Sequence, residues 1–78
     1  MNISNDAQSL LKTLIFSARK TKDNYTSHVA VSNRSMRKIW AEELQDVGFI
    51  TDVSYHGQIF IRCKVTDKGM AYKFDYNC

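Results

Sequence analysis

The chain contains no proline, three glycines and two cysteines, and its longest run of large apolar side chains is Leu14-Ile15-Phe16. Without a Pro/Gly-rich linker, a low-complexity stretch or an internal repeat, nothing divides residues 1–78, and a single domain is expected. The apolar runs fall far short of the roughly 20 residues that a membrane-spanning helix needs. Cys63 and Cys78 are too few for a disulfide framework, and no signal-peptide pattern is read, so reduced thiols in a cytoplasmic protein are expected. No Cys/His spacing fits a zinc site, which gives an expectation of no metal and no cofactor. His28 and His56 are far apart in sequence, and no Ser or Cys nucleophile has a recognisable setting, so the chain is not expected to be an enzyme. At 78 residues one modest core is possible, giving only a few kcal/mol of net stability.

What is present is a folding composition, 44% apolar and 12% aromatic, with an uneven charge. Residues 12–38 carry seven basic side chains against Asp23 alone, whereas residues 39–78 carry four against six acids. The first half is therefore the footprint expected of a polyanion binder, with solvated surface lysines as the plain alternative.

Ser4 or Asn5 can cap a helix beginning at Asp6, with Leu10, Leu11, Leu14, Ile15 and Ala18 as its buried stripe. Residues 21–27 read as a loop, and Val29 and Val31 alternate as in a short strand. Residues 33–47 then read as one amphipathic helix, capped by Ser32 or Asn33, with Met36, Ile39, Trp40, Glu43, Leu44 and Val47 on one side and Gly48 as its stop. Its charges run against the helix dipole: Arg34, Arg37 and Lys38 lead, and Glu42, Glu43 and Asp46 follow. Each such placement costs a few tenths to about 1 kcal/mol. Basic residues at a leading helix end suit an approach to phosphates, where backbone N–H groups and cations act together.

Two strands are predicted next, over residues 49–55 and 58–66, joined at His56-Gly57. In the second, Ile59, Ile61, Cys63 and Val65 fall on the core face and Phe60, Arg62 and Lys64 on the other, which makes Phe60 a candidate exposed contact. Trp40 and Tyr25 could also stack bases, although Trp40 has core spacing. The tail has two readings. Residues 66–69 can turn into an alternating strand of Met70, Tyr72, Phe74 and Tyr76, the favoured reading, or Thr66 can cap a short helix. The fold class expected is thus a small α+β domain, α-β-α-β-β, with an antiparallel sheet and an extra strand or short helix at its C-terminal end.

Residues 29–50, VAVSNRSMRKIWAEELQDVGFI, resemble without gaps the strand-helix-strand unit in the N-terminal domain of protein eight of the small ribosomal subunit. With Asp6, Thr13 and Ile15 in helix one, the likeness covers about two-thirds of the chain, and it implies the α-β-α-β-β fold. The chain departs from that family at Leu14, Phe16, Ser17 and Ser32. A second resemblance, carried by Leu44, Gly48, Phe49, Ile50, Thr66, Lys68 and Gly69, is to compact winged-helix regulators. It implies that residues 33–47 are a recognition helix offering Asn33, Arg34, Arg37 and Lys38 to the major groove, with His56, Gln58, Arg62 and Lys64 on or near the wing.

The function expected is that of a small nucleic-acid-binding regulator, of DNA or RNA, using Asn33, Arg34, Arg37, Lys38, Phe60, Arg62 and Lys64. The alternative is a protein-interaction module, such as a small inhibitor or accessory factor of a mobile element, docking a partner through Tyr72, Phe74 and Tyr76 or an exposed sheet edge. No heptad or symmetric motif points to an oligomeric state.

Overall fold

The hydroxyl of Ser4 accepts a hydrogen bond from the Ala7 N–H at 3.2 Å and opens helix α1, Asn5–Ala18, in the computed structural model, which describes residues 3–74. Asp6 stands in the first turn, where the dipole favours an acid. The expected stripe, Leu10, Leu11, Leu14, Ile15 and Ala18, is buried along its length, joined by Ala7. In the loop that follows, the Thr21 hydroxyl donates to the carbonyls of Ala18 and Tyr25, at 3.0 and 2.9 Å, and ties the loop back to the helix end.

Strand β1, Val29–Ala30, pairs with strand β3, Phe60–Val65, and β3 pairs on its other side with strand β2, Ile50–His56. Both pairings are antiparallel, and β3 is the central strand of a three-stranded sheet in the order β1-β3-β2. The structure is a small α+β fold. Gly57, at φ 56°, closes the β2–β3 turn, and Asp52, at φ 55°, sits where the register slips between Thr51 and Ser54. One face of the sheet carries Val29, Ile50, Ile61, Cys63 and Val65, all buried against the helices. Phe60, Arg62 and Lys64 alternate to the other face with their partners Ala30, Thr51, Ser54 and His56, and all of these are exposed or half-exposed.

Residues 33–47 differ from the single α-helix expected of them. Asn33 makes no capping hydrogen bond through its side chain; its Oδ1 accepts instead from the Ser35 hydroxyl at 2.8 Å. The chain responds with a tighter 3-10 turn, Arg34–Met36, in which the Met36 N–H reaches the Asn33 carbonyl at 3.1 Å. Helix α2, Arg37–Asp46, begins only after it, and Gly48, at φ 82°, ends it as expected. The face α2 turns to the core is centred on Trp40, Ala41 and Leu44. At about 100° per residue this leaves Ile39 on the far side, 54% exposed rather than buried as its spacing suggested.

The favoured strand reading of the tail is also corrected. Thr66 caps helix α3, Asp67–Met70: its Oγ1 accepts from the Gly69 N–H at 3.0 Å and donates to the Gly48 carbonyl at 2.6 Å. Gly69 is required there by contact, because a Cβ would lie 2.2 Å from the Phe49 carbonyl oxygen. The chain after α3 folds back over the core, with the Phe49 and Tyr72 rings 4.9 Å apart and Tyr72 and Phe74 likewise. Met70, Tyr72 and Phe74 are half-buried against the core instead of forming a sheet edge, while Tyr76 and Cys78 lie outside the described residues.

Candidate functional site

The basic residues chosen from sequence separate into two groups with different surroundings. Arg34 and Arg37, at the leading end of the helical segment, are both turned onto the β2–β3 turn. Arg34 Nη1 donates to Gln58 Oε1. Arg37 Nη1 lies 3.1 Å from the Phe60 carbonyl, 3.2 Å from that of Gly57 and 3.4 Å from that of His56, and its guanidinium carbon is 5.1 Å from the Tyr55 ring centre. A guanidinium has five N–H donors in a fixed fork and suits such a cluster of acceptors. Arg37 is half-buried and acts as a clamp of helix to hairpin. Asn33 is exposed and engaged with Ser35, and Lys38 is exposed with no hydrogen-bond partner among the described residues.

Phe60, Arg62 and Lys64 stand together on the face of the sheet that no helix among the described residues covers, the uncovered face, because strand periodicity sends every second side chain of β3 there. Phe60 is 39% exposed despite its size. Neither Arg62 nor Lys64 donates a side-chain hydrogen bond among the described residues. Their cations lie instead against the ring of Tyr25, at 4.9 and 6.0 Å from its centre. Tyr25 enters from the loop before β1, bridges to Lys64, and crosses β3 to donate its hydroxyl to Asp52 Oδ2 on β2 at 2.6 Å. That bond to Asp52 leads the causes that raise the Tyr25 pKa above its ordinary value.

The hairpin-turn end of the same face holds residues that sequence reasoning did not bring together. The rings of His28 and His56 meet edge to face with centres 4.4 Å apart, and the Ser54 hydroxyl lies 2.8 Å from His56 Nε2. His28 precedes β1 and His56 ends β2, so the two are neighbours only because β3 runs between those strands. The one sequence signal that could have joined them was the strand order, which no local pattern carries. Among the described residues no group of three or more His, Cys, Asp or Glu side chains could hold a metal ion.

Cys63 belongs to the opposite, buried face. Burial pushes its thiol up to about 12, and its N–H is bonded to the hydroxyl of buried Thr26 at 3.2 Å. The thiolate form needed for nucleophilic chemistry is disfavoured there.

A second surface lies on the other side of the molecule. Phe16 of α1, 64% exposed, lines a groove with Ile15, Met70, Tyr72 and Phe74, which the basic residues Lys12, Arg19 and Lys73 also line. The Lys20 ammonium sits 4.6 Å from the Phe16 ring centre. Among the described residues, no helix is long and apolar enough to cross a membrane. Comparison of the chain with protein-family models, with curated proteins and with solved structures returned no match.

Proposed function

We propose that the chain is a small nucleic-acid-binding regulatory protein whose contact surface is the uncovered face of the sheet. The observation that carries this reading is the company of Arg62 and Lys64: two cations without hydrogen-bond acceptors among the described residues, flanked by the rings of Tyr25 and Phe60. Cations beside exposed aromatic rings combine phosphate attraction with a stacking surface, the two contributions from which sequence-tolerant nucleic-acid binding is built. The net charge of +3 is of the sign that attracts a polyanion. Relative to the sequence reading, weight moves away from Arg34 and Arg37, which are occupied by the hairpin, and onto Phe60, Arg62 and Lys64, with Lys38 as an outlying contact.

Resemblance to the ribosomal family and to winged-helix regulators agrees with this class of ligand. Between β1 and β2, however, the chain forms one helical segment, a 3-10 turn merging into α2, and not two helices joined by a turn. The proposal is therefore binding through the sheet, by a protein of the cytoplasm that performs no catalysis.

The test is fluorescence anisotropy of labelled nucleic acid over a salt series. Arg62→Glu with Lys64→Glu should abolish binding while circular dichroism stays that of the parent chain. Undiminished affinity in that variant refutes the reading.

The groove of Phe16, Tyr72 and Phe74 favours a second reading, docking of a protein partner. Under it, Phe16→Ser removes function and the charge reversals do not.

A further inference from the structure

We infer that the ligand of the uncovered face is single-stranded nucleic acid, laid along β3 with bases on Phe60 and the His28–His56 pair and phosphates on Arg62 and Lys64. This rests on the nucleic-acid reading and narrows it to one form of ligand.

A helix that reads a duplex must present its leading side chains to the major groove. Here those side chains are folded onto the β2–β3 turn, Arg34 through Gln58 and Arg37 through the carbonyls of His56, Gly57 and Phe60. Freeing them would open the junction of helix and hairpin. Nor does a second helix lie between β1 and α2 to brace it against a duplex backbone, since only the 3-10 turn Arg34–Met36 stands there and α1 is joined to α2 through a loop and β1.

A duplex offers an outer surface of phosphates and sugars, to which Phe60 and the His28–His56 rings have nothing complementary. Unpaired bases offer π-faces, and stacking on exposed rings is how open sheets hold them. The six residues of β3 span about 20 Å, room for two or three splayed bases.

The acids on this face gather at the Lys64 end, where Asp52 accepts from the Tyr25 hydroxyl and Asp23 Oδ1 from the Tyr25 N–H. They bound the path of a polyanion on that side, and Tyr25 stands as the wall between path and acids. The strand therefore enters over His28, His56 and Phe60, and its phosphates finish on Arg62 and Lys64.

The experiment titrates the full chain into fluorescein-labelled oligonucleotides of about twelve nucleotides, oligo(dT) and a mixed-sequence RNA, each beside its duplex form. Single strands should bind about tenfold more tightly than duplex or better. Phe60→Ala should weaken single-strand binding by about tenfold to a hundredfold with the salt slope unchanged. Arg62→Gln with Lys64→Gln should reduce that slope by about 1.4. Amide chemical-shift mapping on the unsubstituted protein supplies a readout independent of variant folding: oligo(dT) should move residues 28, 54, 56 and 60–64, not 33–38. Equal or tighter duplex binding with shifts at 60–64 overturns the inference and leaves the proposed function standing, whereas shifts confined to 33–38 overturn both the inference and the sheet face as the contact surface. Failure of every nucleic acid to bind at low salt overturns the proposed function itself.

Discussion

Replacing Arg37 distinguishes a clamp from a ligand contact, and the structure sets the size of the effect. One nitrogen, Nη1, faces three carbonyls at 3.1, 3.2 and 3.4 Å, but it has two hydrogens, so the contacts amount to about two shared bonds. Hydrogen bonds from a charged donor contribute about 1.5–3 kcal/mol each when well formed. Here the geometry is long and the residue half-exposed, which brings the pair to about 2 kcal/mol. The guanidinium over Tyr55, 5.1 Å from its centre, adds about 0.5 kcal/mol. Arg37→Gln should therefore lose about 2–3 kcal/mol, which for a domain of this size lowers Tm by roughly 10–20 °C. Arg37→Lys keeps the charge but neither the fork nor the stack, and should lose more than half as much. Urea and thermal unfolding followed by circular dichroism measure both variants, and anisotropy at matched salt measures their remaining affinity at a temperature where they are folded. A clamp predicts lowered stability with an unchanged salt slope. Wild-type stability in Arg37→Gln together with a slope reduced by about one unit would refute the reasoning.

Gly69→Ala places a Cβ 2.2 Å from the Phe49 carbonyl oxygen and 2.9 Å from Val65 Cγ1, so α3 must shift; a loss of about 3 kcal/mol in urea unfolding is expected, and a parental midpoint would contradict that contact. Ile39→Gln should change stability by less than about 0.5 kcal/mol, because Ile39 faces solvent, whereas Leu44→Ala should cost about 3 kcal/mol; a large effect at Ile39 would restore the buried spacing. Cys63 gives a pH signature. Its thiol is raised from the ordinary 9.0 to about 12 by burial, so the folded state favours the neutral form. The contribution is fully present below about pH 9 and is lost as pH rises towards 12, at about 1.4 kcal/mol per unit. Unfolding midpoints of Cys78→Ser from pH 8 to about 11 should show this fall, and Cys63→Ala in the same background should flatten it. The raised tyrosines Tyr25 and Tyr55 add a later decline that both proteins share, so identical profiles would refute the account of Cys63.

The elements legible in the sequence are those whose pattern is set within one turn or one pleat. The α1 stripe repeats at helical spacing, and β3 alternates from Phe60 to Val65, so both could be placed from the residues alone. Ile39 and the tail were not legible for a shared reason. The phase of α2 follows on the 3-10 turn before it, where the Asn33 side chain bonds Ser35 and makes no helix cap. The tail is decided by Gly69 lying against the Phe49 carbonyl, a contact between segments twenty residues apart. Its aromatic alternation is real, but it serves burial against the core rather than a sheet edge.

The same distinction governs the site. Arg34, Arg37, Glu42, Glu43 and Asp46 stood out because they oppose the dipole of α2, which a phosphate partner would explain. The structure supplies partners for much of that inversion from within the chain. Arg34 and Arg37 are taken by Gln58 and the carbonyls of the β2–β3 turn, and Glu43 accepts from the Ser4 N–H at 2.5 Å and its hydroxyl at 2.9 Å. Glu43 thereby puts its charge at the N-terminus of α1, so an acid unfavourable to its own helix stabilises the neighbouring one. An anomalous charge pattern locates residues with a partner; it does not tell whether that partner is a ligand or the chain itself. Of the cations that have no hydrogen-bond acceptor among the described residues, Lys38 shares the inverted pattern of α2, whereas Arg62 and Lys64 broke no local rule. What marks Arg62 and Lys64 is the uncovered face they share with Tyr25, Phe60 and two histidines, and that face exists only once β3 is enclosed between β1 and β2.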